Sequence, residues 1–354
     1  QDFSFNASIM MQIYDEKVKL SSPKLLPDSP KIQLPSTELL DTLGRGDTKV
    51  GEKQANYQSR ARKKAISNPL NMKLLEVKDS PLRLRYLAAM SCSNYLFQDG
   101  LKITSRYCRQ RSCLICNSIL TMKLIKGYKA SIDAMVEPVF LTLTFGRIQG
   151  VELKFTINSM KKQLSLIFKR LRVRKKRKGY AEVKIDAICK FECVYDHFKK
   201  EPFHPHFHLI VDGLKNANDI KAEWIKDLDC SPRGQHVELI SNRGKSAQEL
   251  FKYVSKLITD KPFNAFGFDA ILQATMNKPI YICYGNIKRI DEDISDIDSR
   301  FIDFKEAQTQ VWKISKKSFD WICPEGERFS GYKPTDEDLY VIKNSRYPKN
   351  KVKS

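Results

Sequence analysis

The spacing of apolar and polar positions changes several times along the chain, and each change marks an element. Residues 139–145, Val-Phe-Leu-Thr-Leu-Thr-Phe, alternate with the two-residue period of a strand. Ile157, Met160, Leu164, Ile167 and Leu171 then recur at three- and four-residue intervals, which predicts a helix over 156–172. A second strand is expected at about 185–195 and a third at 204–212. The polar link 196–202 between them makes them antiparallel neighbours. Helical spacing returns at 216–228 around Trp224, and a short strand follows at 236–240. Another helix is expected at about 245–258, with Leu250, Val254 and Leu257 as its apolar stripe. The order β-α-β-β-α-β-α predicts an α+β fold, a mainly antiparallel sheet with helices packed on one face.

Residues 1–80 show no such pattern. They are rich in Ser, Pro, Lys and Asp, and read as a mostly flexible basic arm with one short helix near Glu38, Leu39 and Leu40. The basic patch at 60–64 is expected to be solvated. A Cys-rich module is expected over 85–130, the main α+β domain over 135–300 and an accessory segment over 301–354. The chain ends in a cationic stretch, 349–353, expected to be disordered.

Composition narrows the partners. Of 354 residues 42% are hydrophobic, enough for a real core, while 62 Lys+Arg against 41 Asp+Glu leave a formal charge of +21. Such a balance implies a polyanion, with nucleic acid as the default. No apolar run approaches the ~18 residues of a membrane-spanning helix, and no secretory pattern is present. The chain starts at Gln1 rather than Met, so its natural start is expected to be missing or processed. Nine cysteines, an odd number in a long chain, fit a reducing cytoplasm and metal ligation better than disulfides. Eight of the ten residues at 169–178 are basic: Lys169, Arg170, Arg172, Arg174, Lys175, Lys176, Arg177 and Lys178. A run of this kind is often only a solvated face. In so basic a chain it is expected to meet phosphates, adding affinity and salt dependence rather than sequence reading.

Three of the five histidines fall in 204–208, His-Pro-His-Phe-His. On a strand His206 and His208 project from one side and form half of a divalent-metal site, with edge-strand surface histidines as the competing reading. Glu192, on the neighbouring strand, is the candidate third ligand, unless it faces outward. Cys92, Cys108, Cys113 and Cys116, interleaved with Arg106, Arg109 and Arg111, could close a tetrahedral zinc site or be buried thiols. On the last predicted helix Glu249 and Tyr253 lie four apart and share a face. Tyrosine is a weak nucleophile unless activated, and a divalent ion on a scissile phosphate would lower that demand.

Together these residues resemble the HUH endonucleases, and more closely the rolling-circle plasmid replication initiators called Rep. The matching features are Cys108-x4-Cys113-x2-Cys116, the strand at 141–144, Phe191-Glu192, the His-Pro-His-Phe-His stretch and the Glu249 to Lys256 helix, covering about 90–260 in the family's order. The resemblance implies an HUH, ferredoxin-like core and a nickase. Tyr253 would attack one strand at the double-strand origin, giving a 5′-phosphotyrosine and a 3′-OH primer. His206, His208 and Glu192 would hold Mg²⁺ or Mn²⁺, and Glu249 would activate water for terminating cleavage. Lys252 and Lys256 join the expected DNA contacts. Origin DNA, a host helicase, the replication polymerase and a homodimer are the implied partners. No G-x-x-x-x-G-K-[ST] loop occurs, so strand separation falls to the helicase. Leu114-Ile115 and Asn117-Ser118 stand where the family commonly has Pro within the C-x-x-C and an aromatic-basic pair after it. The competing readings are an HUH transposase or relaxase, a non-catalytic zinc-containing nucleic-acid-binding protein, and a metal-dependent phosphohydrolase.

Overall fold

The computed structural model describes residues 50–100, 102–177, 185–252, 263–289 and 310–344. The chain enters through α1 (Val50–Leu75) and α2 (Arg83–Ser91), then the hairpin β1 (Tyr95–Asp99) and β2 (Lys102–Ser105). Next come α3 (Leu114–Asp133), β3 (Pro138–Thr144), α4 (Leu153–Arg177), β4 (Ala187–Tyr195) and β5 (Phe203–Asp212). They are followed by α5 (Leu214–Leu228), β6 (His236–Leu239), α6 (Arg243–Phe251), α7 (Ala265–Thr275) and β7 (Tyr281–Tyr284). The described chain closes with β8 (Gln310–Ile314), β9 (Trp321–Ile322) and α8 (Asp336–Asn344). The fold is α+β with two antiparallel sheets, ordered β6-β3-β5-β4-β7 and β2-β1-β8-β9.

Strand β5 is the axis of the larger sheet. Its residues Phe207, Leu209 and Val211 face one way and join Leu141, Phe191, Leu164 of α4 and Trp224 of α5 in the larger core. Ile210 faces the other way and, with Ile188, meets Leu124 and Tyr128 of α3 and Leu250 and Phe251 of α6. Each such side chain contributes roughly 1.5–3 kcal/mol on full burial. Helices therefore cover both faces, where one covered face was expected. The second layer is α6 together with α3, and α3 grows out of the Cys-rich segment, outside the strand–helix pattern that suggested the fold.

Two boundaries and the solvation of one basic patch differ from the sequence reading. Residues 50–75 are not part of a flexible arm: α1 buries Ala61, Ala65, Leu70 and Leu74. Small alanines separated by lysines give a weak periodic signal, which hid the helix. Within the basic patch, Lys64 is 1% exposed and donates to the carbonyls of Met90 (2.7 Å) and Cys92 (2.6 Å). Arg62 pairs with Asp338 of α8 at 2.8 Å. The patch is thus largely an internal fastening. Residues 310–322 complete the sheet of the β1–β2 hairpin, with Leu96 opposite Trp312, instead of forming a separate accessory segment. The short helix expected near 38–40 and the terminal stretch 349–353 lie outside the described residues. No helix among the described residues is long and apolar enough to cross a membrane.

Candidate metal centres and nucleic-acid interface

Register places polar side chains in rows across one end of the larger sheet. Glu192 of β4, His206 of β5 and Thr144 of β3 are consecutive cross-strand partners. One step along, Lys190, His208, Thr142 and His236 form a second row over four strands. In the next row Ile188, Ile210 and Phe140 are apolar, and the exposed Glu238 of β6 stands at its edge. Because partners directly opposite share a face, all three rows lie on the side of α3 and α6. Those helices cover the apolar row.

Glu192, His206 and His208 bring one ligand atom each to within 4.8 Å of one another. The His208 Nε2 atom lies 3.7 Å from a Glu192 carboxylate oxygen. Each imidazole is oriented through Nδ1, in His208 by Thr142 Oγ1 and in His206 by the His204 carbonyl, both at 3.1 Å. Partners of that kind fix ring orientation and direct Nε2 to a metal. Burial raises the Glu192 pKa, but Lys190, His206 and His208 outweigh it and lower the value to about 2. The carboxylate is therefore charged, as a ligand must be. Two imidazoles and a carboxylate, largely buried and pre-oriented, fit a divalent ion with open coordination positions.

Helix α6 ends beside these rows. Its N-cap Asn242 accepts from the Lys245 amide at 2.9 Å, and its C-cap Lys252 has an extended ψ of 110°. The expected continuous helix to 258 therefore stops at Phe251. Side chains from elsewhere donate to the carbonyls at this end. Thr121 (3.0 Å) and Tyr281 (3.1 Å) donate to Phe251 O, and Lys190 donates to Lys252 O. Glu249 is exposed on α6. Tyr253 and Lys256, and with them the face that Glu249 and Tyr253 were expected to share, lie outside the described residues.

The four cysteines also converge, with their sulfurs all within 4.8 Å. Cys116 Sγ is 3.5 Å from Cys92 Sγ and 3.6 Å from Cys108 Sγ. Thiolates around one tetrahedral ion stand about 3.8 Å apart, so the set fits a metal. Backbone amides point at the sulfurs: Arg109, at a left-handed φ of +56°, donates to Cys116 Sγ (3.2 Å) and Cys108 donates to Cys92 Sγ (3.4 Å). Hydrogen bonds from Cys108, Cys116 and Cys92 hold the Cys113 thiol well below its usual range, despite burial. Cys113 also occupies the N-cap position of α3, where a negative charge is favoured. Leu114 and Ile115, unusual for the Rep pattern, pack into neighbouring apolar clusters without disturbing this geometry.

The basic run is placed elsewhere. Helix α4 extends through it to Arg177, farther than the predicted 172, and packs on the face opposite the histidine rows. Arg170 pairs with Glu223 and Asp227, Arg174 with Glu223 at 2.8 Å, and Lys175 with Asn216. Those contacts pull the end of α4 toward the start of α5, beyond Asp212. That is six residues along β5 from His206, roughly 20 Å. Lys169, Arg172, Lys176 and Arg177 are exposed, Lys252 is half-buried, and Lys178 lies outside the described residues. Three of the expected DNA contacts are thus engaged within the protein, two by acids that α5 presents at matching four-residue spacing and one by Asn216.

Lys190, Thr142, Thr121 and Tyr281 belong to the neighbourhood but were not anticipated. Lys190 carried a signal, two residues before Glu192 on the same strand face. The others become neighbours only through strand register and helix packing.

Two curated proteins resemble the chain, each named Protein rep. One, from Streptococcus pneumoniae serotype 2 (strain D39 / NCTC 7466), is 25% identical over 170 residues, 44% of this chain and 50% of that protein. The other, from Bacillus sp, is 27% identical over 153 residues, 38% of this chain and 47% of that protein. The chain spans about half the length of these relatives. No family model matches it, and no solved structure matches.

Proposed function

We propose that this protein is a Rep-type replication initiator that nicks one strand of plasmid origin DNA. The observation that carries the reading is the convergence of Glu192, His206 and His208 on the sheet face where α6 delivers the chain to Tyr253. The similarity to two proteins named Protein rep supports it, as does the net charge of +21. His206, His208 and Glu192 would hold Mg²⁺ or Mn²⁺, which when bound polarises the scissile phosphate and offsets charge on the departing oxygen. Tyr253 gives its phenolic proton to a base and its oxygen bonds to phosphorus. The bond from phosphorus to the 3′ oxygen breaks, and that oxygen gains a proton to become the primer 3′-OH. Glu249, exposed in the last turn of α6, would activate water for the terminating cleavage. The four cysteines would hold a structural zinc. Exposed basic residues such as Lys169 and Arg172 would contact duplex DNA away from the nick, and a host helicase would open the strands.

The test is cleavage of single-stranded origin DNA with Mn²⁺. A covalent protein–DNA adduct is expected for the wild type and for Glu249→Ala, and none for Tyr253→Phe. DNA binding without an adduct in any protein would overturn the nickase reading in favour of a non-catalytic binding protein.

A further inference from the structure

Lys190 is an unexpected residue in its place. It is 2% exposed in the middle strand positions of β4, where its neighbours in the adjacent row of the same face, Ile188 and Ile210, are fully buried and apolar. Burying an ammonium costs several kcal/mol unless it is well paired, and an apolar residue would fill the space without that cost. Its head group lies between two groups that matter to the proposed chemistry. It donates to Glu192 Oε2 at 2.8 Å, and to the backbone carbonyl of Lys252, one residue before Tyr253. That second contact falls at the C-cap of α6.

We infer that Lys190 is a positioning residue, a strut that ties the chain entering Tyr253 to the metal ligand Glu192. Through it, loading of the metal centre and placement of the nucleophile become one event. The inference rests on the nickase reading and deepens it. The strut has no part in bond making. Its effect is to hold the main chain at 252 in register with the carboxylate while both faces of the sheet stay packed. Thr121 and Tyr281 hold Phe251 O, so two successive carbonyls at the helix end are anchored by side chains of other elements.

The experiment compares full-length wild type, Lys190→Met and Lys190→Arg in three measurements. These are Mn²⁺ affinity by titration, single-turnover adduct formation at saturating Mn²⁺, and amide exchange of the segment 250–258 with and without Mn²⁺. In the wild type, Mn²⁺ is expected to slow exchange in that segment. Lys190→Met is expected to lose this slowing and to form adduct about 100-fold more slowly at saturating Mn²⁺, the scale set by misplacing a nucleophile by about 1 Å. Lys190→Arg, which keeps a cationic donor, is expected to recover part of both. If Lys190→Met regains the wild-type rate once Mn²⁺ saturates, the residue only supports the ligand, and the strut is overturned. Unchanged Mn²⁺-dependent exchange in Lys190→Met overturns it as well. Should Lys190→Met not fold, Lys190→Gln, which leaves a polar head in the pocket, carries the same comparison. Absence of adduct in the wild type itself would overturn the nickase reading alone, because the exchange measurement needs no DNA.

Discussion

The protein builds two groups of candidate metal ligands in opposite ways. The four cysteines come from a turn and a helix start, and surround one point with thiols and inward-pointing amides. Such a set is complete in itself, with no place for a substrate. Glu192, His206 and His208 come from adjacent strands and offer only three donors from one side. Closed sites add folding energy, whereas sites with open positions do chemistry. The difference lies in the supporting element. A loop can wrap around an ion, while a flat strand face can present donors from one side only.

The sharpest way to break this comparison is at the closed site. Cys113→Ser should cost several kcal/mol, since metal binding to such a set is folding energy, and should lower the melting temperature steeply. A strong chelator should do the same to the wild type, while removal of loosely held Mn²⁺ should leave the melt almost unchanged. Equal melting shifts on removing either metal would erase the distinction.

At the open site, His208→Ala should reduce adduct formation by more than about 100-fold with little change in thermal stability. Thr142→Val, which removes only the partner of the His208 ring, should weaken Mn²⁺ binding by about 10-fold. Circular dichroism and metal titration on the two variants would check both expectations.

A smaller effect separates free from engaged cations. Arg172→Ala should lower the salt dependence of DNA binding by about one counterion. Arg170→Ala, already paired with two acids, should instead cost under about 1 kcal/mol of stability and leave the salt slope unchanged.

The smallest prediction concerns Lys63, whose pKa burial and the nearby Arg60 lower to about 7. Below pH 7 both folded and unfolded chains carry the proton, and the folded chain bears the full cost of burying it. Between pH 7 and about 10.5 the unfolded chain binds more protons, so rising pH stabilises the fold. Lys63→Met should therefore stabilise the protein most near pH 6, with the gain fading toward pH 10. A gain independent of pH would show that packing alone is responsible.

The strands and helices that carry the candidate site were legible because their signals are local. Alternation marked 139–145 and 204–212, and three- and four-residue spacing marked the core of α4 and nearly all of α5. Glu192 could be paired with His206 because a short polar link forces an antiparallel neighbour. Helix α1 escaped notice because alanines and lysines carry its pattern. The early end of α6 was hidden too, since Leu250, Val254 and Leu257 keep helical spacing past the break. At that end Thr121, Lys190 and Tyr281, all distant in sequence, donate to the carbonyls of Phe251 and Lys252.

By itself the sequence determined the α+β class, the antiparallel pair bearing Glu192 and the histidines, and the cysteine set, because alternation and short links act between near neighbours. Only the tertiary structure decided which basic residues are free, that α3 covers a second face of the sheet, and that Lys190 reaches both Glu192 and Lys252. Those outcomes depend on which surfaces meet across long stretches of chain, and burial and charge pairing at such contacts leave no local pattern.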